Sequence, residues 1–169
     1  MSKLVFSNIF RFLALIVLQI LILNYVYLGG FAVPFIYLLA ILMLPTRLEK
    51  IPLLLIAFAS GMLIDIFCNV PGFHTFSCTM MGFARILFGN TILTHDDAEI
   101  DTPNIRSVPA SAFMLYLLLM IFVYSFTFNL IEAFSFGNFW LTMLSVLLDT
   151  AITWVLLMLC QLFISPSKK

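Results

Sequence analysis

Charged residues are scarce in this sequence. Lys, Arg, Asp and Glu make up only 9% of its 169 residues, whereas hydrophobic residues make up 63%. A soluble domain is typically about a quarter charged, and so few charges cannot cover a surface that faces water. The composition therefore excludes an ordinary soluble domain and predicts an integral membrane protein in contact with the lipid bilayer.

Other absences exclude further classes of protein. Three cysteines at irregular spacing, Cys68, Cys78 and Cys160, form neither a disulfide framework nor a zinc site. The net charge is zero, so no basic field attracts nucleic acid. The sequence has no glycine-rich phosphate loop, and no serine or cysteine has a plausible base partner. We therefore predict no catalytic residues, no metal site, no cofactor and no enzymatic activity.

Long apolar runs are what the sequence does contain. A membrane-spanning helix needs about 20 apolar residues, or about 17 when it is short. The runs predict one all-α domain, a bundle of six transmembrane helices. These cover about residues 10–28, 31–44, 51–67, 73–93, 108–131 and 139–164, and a polar loop covers 94–107. The second helix is short and carries Pro34 in its first turn, where proline is tolerated.

The basic residues predict the orientation of this bundle. Short loops that hold Lys and Arg stay in the cytoplasm. With six helices, all eight basic residues fall on one side, namely Lys3, Arg11, Arg47, Lys50, Arg85, Arg106, Lys168 and Lys169. The loops on the opposite side hold none. Both termini are therefore predicted to be cytoplasmic, in a multi-pass protein of the inner (plasma) membrane.

Two ionisable residues fall well inside the predicted helices, Arg85 and Asp149. Such residues are costly in a bilayer, so they usually face the bundle interior. A rise of about 1.5 Å per residue puts the two at similar depth, which predicts an intramembrane ion pair. The pair would be a structural clamp or part of a polar binding pocket. Alternatively, Arg85 reaches the inner headgroups while Asp149 is protonated.

A third carboxylate, Asp65, stands near the outer end of the third helix, in the stretch G-M-L-I-D-I-F-C-N-V-P-G-F-H. It either caps the following turn or forms part of a docking surface. Small residues at helical spacing on the same helix, Ala57, Ser60 and Gly61, either contact a partner helix or pack inside the bundle.

The same stretch, continued by T-F-S-C, resembles the signature of the rod shape-determining MreD family. The resemblance implies a non-enzymatic membrane scaffold of the bacterial elongation machinery, which links the actin-like MreB cytoskeleton and MreC to lateral peptidoglycan synthesis and cell shape. The implied partners are an MreC-like protein, RodA, the elongation transpeptidase and, indirectly, MreB. The positions that match the signature, and would fix the helix hairpin or dock a partner, are Gly61, Asp65, Gly72 and His74.

A second function class stays open. The MreD fold is similar to that of the substrate-binding subunits of energy-coupling-factor vitamin transporters, so the alternative is a small-molecule-binding subunit of a transporter. The A-x-x-x-A pattern with which such subunits pack on their coupling protein is absent from the first helix, which counts against transport. A membrane enzyme is a third class, but the clustered aspartates that it would need are also absent.

Overall fold

The computed structural model describes residues 13–21, 33–46, 48–93, 102–105, 107–133 and 139–164. Within these ranges the fold is all-α, as predicted. The described α-helices are α1 at residues 13–21, α2 at Leu38–Leu42, α3 at Lys50–Cys68, α4 at Phe73–Ala84, α5 at Asn90–Leu93, α6 at Ala110–Ala133 and α7 at Phe139–Ile164. Of the basic residues that predicted the orientation, all but Lys50 and Arg85 lie outside the described ranges, as do both ends of the predicted first helix.

Three of these helices are long and apolar enough to cross a membrane. They are α3 with 19 residues, α6 with 24, and α7 over its 23 residues Phe139–Gln161. Only 28–39% of their apolar windows is buried inside the protein. Large apolar side chains on the outer faces, such as Ile51 and Phe67, therefore lack protein cover. In a bilayer such faces meet lipid tails, so these helices indicate a multi-pass membrane protein.

The predicted fourth helix, residues 73–93, consists of three helical pieces. Helix α4 passes at Arg85 into a π-helical turn, Arg85–Gly89, and the chain then continues as α5. Such single π turns widen a helix locally. The π turn begins at Arg85, whose side chain leaves the helix and bonds the carbonyls of Ile41 and Leu44. Gly89 gives it room, because a Cβ there would lie 3.3 Å from Cγ of Arg85.

The predicted second helix, residues 31–44, is the main departure from the sequence prediction. Residues 33–35 have no regular structure, and only Leu38–Leu42 are α-helical. Proline disfavours helical geometry in the residue before it, and its own nitrogen cannot donate a hydrogen bond. Pro34 and Pro45 therefore bracket the stretch. We call residues 33–44 the central segment.

The central segment is buried in the middle of the bundle. Every residue from Phe35 to Leu42 is at most 8% exposed, and Pro34 is buried as well. Its irregular backbone leaves polar groups that a helix would have paired. In an apolar environment each unpaired group costs several kcal/mol, roughly, so other parts of the protein must supply partners.

Side chains from α1 and α7 satisfy the first half of the central segment. The Val33 N–H donates to Oδ1 of Asp149 (3.0 Å), and the Phe35 N–H donates to Oγ1 of Thr153 (3.2 Å). Gln19 bonds both ways, because its Oε1 accepts the Ile36 N–H (2.8 Å) while its Nε2 donates to the Pro34 carbonyl (3.0 Å). Four backbone groups are thus paired by three buried side chains.

Side chains from the π turn and α6 satisfy the second half. Arg85 donates through Nη1 to the Ile41 carbonyl (2.5 Å) and through Nη2 to the Leu44 carbonyl. The Tyr116 hydroxyl donates to the Leu42 carbonyl (3.1 Å). The central segment therefore runs from the end of the bundle near Asp149 to the end near Arg85, where side chains bond the carbonyls of Ile41, Leu42 and Leu44.

Helices α3 and α4 form a closely packed antiparallel hairpin. Gly61 makes this contact possible, since a Cβ on it would lie 2.5 Å from both the His74 carbonyl oxygen and Cα of Thr75. The predicted small-residue face of α3, Ala57, Ser60 and Gly61, is buried. A Cβ on Gly82 of α4 would lie 3.1 Å from Cβ of Ala57. The face therefore packs inside the bundle, against α4.

We expect Gly61→Ala to destabilise the protein by about 1–3 kcal/mol, the usual cost of overpacking, because backbone atoms of α4 cannot move aside as a side chain can. Gly82→Ala is the matched control. Its new methyl group would meet only side-chain atoms at 3.1 Å or more, so a smaller loss is expected. Thermal unfolding of the two variants in detergent measures the difference. Equal stability of the two variants would contradict the close α3–α4 contact.

Candidate functional site

The α3–α4 hairpin turns within four residues, Asn69 to Gly72. Asn69 ends α3 in the left-handed conformation (φ 54°), and Gly72 precedes α4 in the same region (φ 86°). Asparagine and glycine are the residues that adopt this conformation at low cost. The Asn69 and Val70 N–H groups return to the Asp65 carbonyl, which closes the end of α3. Gly72, predicted from sequence as a hairpin residue, thus allows the left-handed backbone conformation that this turn needs.

Asp65 holds the first turn of α4. Its Oδ1 accepts the His74 N–H (3.0 Å), and its Oδ2 accepts the Thr75 N–H (2.8 Å) and the Thr75 hydroxyl (2.5 Å). The first N–H groups of a helix have no partner within the helix, and a carboxylate also suits the positive end of the helix dipole. Asp65 is 6% exposed. Of the two roles predicted for it, the structure supports capping, because both of its oxygens are engaged by α4.

His74 joins α4 to the central segment and α6 through a buried polar chain. Its Nδ1 lies 2.6 Å from the Tyr124 hydroxyl, which lies 2.8 Å from the Tyr37 hydroxyl. The Tyr37 hydroxyl also lies 3.2 Å from Sγ of Cys78. All four side chains are at most 5% exposed. The chain therefore ties three elements together at one level of the bundle.

Nδ1 of His74 lies within hydrogen-bond reach of two tyrosine hydroxyls, since the Tyr37 hydroxyl is also 3.3 Å from it. The other ring nitrogen, Nε2, has no partner within the described ranges.

A cavity of about 630 Å³ lies beside His74, and we call it the Asp149 cavity. It is bounded by the start of the central segment, the α3–α4 turn, the end of α6 and the first half of α7. Phenylalanines form much of its wall, namely Phe35, Phe67, Phe73 and Phe128. Polar side chains at its surface are His74, Asn129, Glu132, Thr142, Ser145 and Asp149. Cavities of about 300–1,000 Å³ with such mixed linings are typical of small-molecule sites.

Asp149 and Asn129 are coupled at this cavity. Nδ2 of Asn129 donates to Oδ2 of Asp149 (2.8 Å) and to the Ser125 carbonyl (2.9 Å). The amide oxygen of Asn129 has no partner in the described part of the chain. Glu132 follows one turn later on α6 and is exposed. The cavity therefore presents mainly hydrogen-bond acceptors and two carboxyl groups.

Arg85 and Asp149 do not form the predicted ion pair. Arg85 bonds the carbonyls of Ile41 and Leu44, whereas Asp149 bonds the Val33 N–H and Asn129. The prediction considered depth along each helix, but it treated residues 31–44 as a helix that pairs its own backbone. The irregular segment instead needs a donor at one end and an acceptor at the other. Each charge serves one of these ends.

A second cavity, of about 500 Å³, lies at the Arg85 end. It is lined by Lys50 and Glu49 at the start of α3, by Arg85 and Gly89, and by Thr46. Its described lining thus has two basic residues and one acidic residue, whereas that of the Asp149 cavity has two acidic residues and no Lys or Arg. Within the described residues, no group of three or more His, Cys, Asp or Glu side chains could hold a metal ion.

Sequence reasoning missed five polar residues. Gln19, Tyr116 and Thr153 bond the central segment, Tyr37 bonds Tyr124 from within that segment, and Asn129 lines the cavity. One signal was available. Asp149 and Thr153 are four residues apart and so share a face of α7. Two polar side chains on one buried face predict polar partners on a neighbouring element. Those partners, backbone N–H groups of the central segment, could not be predicted because the sequence of this segment is an apolar run.

Comparison of this chain with protein-family models, with curated proteins and with solved structures gives no match. The site is therefore interpreted from its own geometry.

We expect Arg85→Gln and Asp149→Asn each to destabilise the protein by about 1–3 kcal/mol, because each leaves buried polar groups of the central segment poorly paired. Since the two side chains share no partner, their effects should add to within about 0.5 kcal/mol. Unfolding of the two single variants and the double variant in detergent provides this double-mutant cycle. A double variant more stable than either single one would instead indicate a direct ion pair.

Proposed function

We propose that this protein is a non-enzymatic membrane scaffold of the bacterial elongation machinery, similar to the MreD family. One observation supports the proposal above all. The four residues that match the family signature lie in one hairpin, and each has a structural role in it. Gly61 permits the close helix contact, Asp65 caps α4, Gly72 completes the turn, and His74 anchors the hairpin to the core.

A hairpin fixed in this way suits a docking element better than a reaction centre. Asp65 is occupied by backbone N–H groups, and Nδ1 of His74 is occupied by a tyrosine hydroxyl. What the hairpin leaves uncovered is its apolar outer face. Along α3 this face includes Met62, Ile66 and Phe67, which are 49%, 63% and 64% exposed. A partner's transmembrane helix would pack side-on against such a face through shape complementarity, since lipid offers no hydrophobic driving force.

The proposal includes the six-span topology in the inner membrane, with both termini in the cytoplasm. Five of the spans would be α1, α3, the α4–α5 rod, α6 and α7, and the central segment would be the sixth. Two features support this count. The central segment runs from the Asp149 end of the bundle to the Arg85 end, and the two described basic residues, Lys50 and Arg85, line one cavity.

Reporter fusions test the topology. Fusions after Lys50 and at Lys169 should report the cytoplasm, and a fusion after Gly72 should report the outside, because the basic residues keep their loops inside. A cytoplasmic signal from the Gly72 fusion would contradict the six-span arrangement.

The scaffold function predicts co-purification with an MreC-like protein, with RodA and the elongation transpeptidase as further members and MreB as an indirect one. Ile66→Trp adds bulk to the exposed face of the hairpin, so it should strongly reduce recovery of the MreC-like protein while membrane levels stay normal. Leu147→Trp is the matched control, since Leu147 is 60% exposed on α7. It should leave recovery unchanged. Affinity purification in mild detergent, with quantification of both proteins, measures the effect.

Equal recovery with Ile66→Trp and the unchanged protein would count against docking on α3. Failure of the unchanged protein to retain an MreC-like protein would count against the scaffold function itself.

The Asp149 cavity favours a second candidate, a substrate-binding membrane subunit of a small-molecule transporter, such as one for a vitamin. The same purification distinguishes the two candidates. A transporter subunit should bring down a coupling subunit with its ATPases, and a scaffold should bring down the MreC-like protein.

A further inference from the structure

The Asp149 cavity has features that the scaffold function does not use. Asp149 is 4% exposed, yet it lines a cavity large enough for a small molecule. A buried carboxylate is retained in an apolar bundle only where hydrogen bonds or a positive charge offset its desolvation. Asp149 has two hydrogen bonds, one from Val33 and one from Asn129. Each carboxylate oxygen has room for a further donor.

The polar surface of the cavity is rich in acceptors. The carboxyl groups of Asp149 and Glu132 both line it. The amide oxygen of Asn129 is a third acceptor. Asn129 is 7% exposed, and this oxygen has no partner among the described residues. None of the described lining residues is a Lys or Arg. A donor-rich cation would pair the free acceptor and bond both carboxyl groups.

The rest of the wall suits an apolar body with a positive charge. Phe35 and Phe128 lie with ring centroids 5.3 Å apart, and Phe73 and Phe128 lie 6.3 Å apart. Aromatic faces attract cations as well as apolar groups. His74 also lines the cavity, and its Nε2 has no partner within the described residues, so it can bond one polar atom of the ligand.

From this arrangement we propose that the Asp149 cavity is a binding site for a small organic cation. Its ammonium or guanidinium head lies among Asp149, Glu132 and Asn129, and its apolar or aromatic body lies against Phe35, Phe73 and Phe128. The inference goes beyond the scaffold function. It also names the ligand class for the transporter alternative, but the site is the same whether or not the protein takes part in transport.

The test is binding to the purified full chain in a non-ionic detergent, measured by calorimetry. Phenethylammonium is the probe, and 2-phenylethanol, which is nearly the same shape but neutral, is the comparison ligand. We expect saturable binding of the cation and at least about tenfold weaker binding of the alcohol, as for hydrogen bonds that involve a charged group. The anion 3-phenylpropanoate should bind no better than the alcohol.

Glu132→Gln identifies the site. Glu132 is exposed and has no described hydrogen bond, so this variant should fold normally and bind the cation several-fold more weakly. Glu49→Gln, the same change at the opposite end of the bundle, should bind it unchanged. Equal affinity for the cation and the alcohol would overturn the inference. So would unchanged cation binding in Glu132→Gln, or no saturable binding by the unchanged protein.

Partner proteins are absent from this measurement. Its failure would leave the co-purification test of the scaffold function unaffected, and a failed co-purification would leave the binding result intact.

Discussion

The need to pair the backbone of the central segment governs the rest of this structure. Ten consecutive residues, 33–42, pass through the bundle with only five of them in an α-helix. In a hydrocarbon environment no water is present to form a hydrogen bond with an unpaired N–H or carbonyl group. Gln19, Asp149 and Thr153 pair one half, and Arg85 and Tyr116 pair the other. These five buried side chains come from four different elements, and all of them bond one stretch of backbone.

This constraint also accounts for the charges in the bundle. Arg85 is placed where carbonyls accumulate, at the C-terminal end of a short helix, and a cation suits the negative end of a helix. Asp149 lies where the Val33 N–H needs an acceptor. Arg85 is therefore held by backbone carbonyls, and Asp149 is held by a backbone N–H and the Asn129 amide, rather than by each other. The π turn at Arg85 and the absence of a side chain at Gly89 belong to the same arrangement, since they let the guanidinium group reach its carbonyls.

The Asp149 cavity and the α3–α4 hairpin lie at the same end of the bundle, and His74 belongs to both. Its backbone N–H is held by Asp65, and its ring is held by Tyr124 and lines the cavity. A molecule in the cavity would therefore contact the residue that anchors the hairpin. His74 is therefore a structural element of the hairpin and of the cavity wall at once.

Sequence alone determined the features that depend on local pattern. The low charge and the long apolar runs indicated a membrane protein, and α3, α6 and α7 begin and end within about two residues of the predicted bounds. Gly61, Asp65, Gly72 and His74 were predicted to fix a hairpin, and all four lie in one hairpin. Tertiary structure alone decided how the stretch with Pro34 folds, since an apolar run with a proline near its start reads equally as a short helix or as a buried irregular segment. It also decided the partners of Arg85 and Asp149. Which polar groups meet across a bundle depends on how the helices are rotated and packed, and the sequence of any one helix does not contain that information.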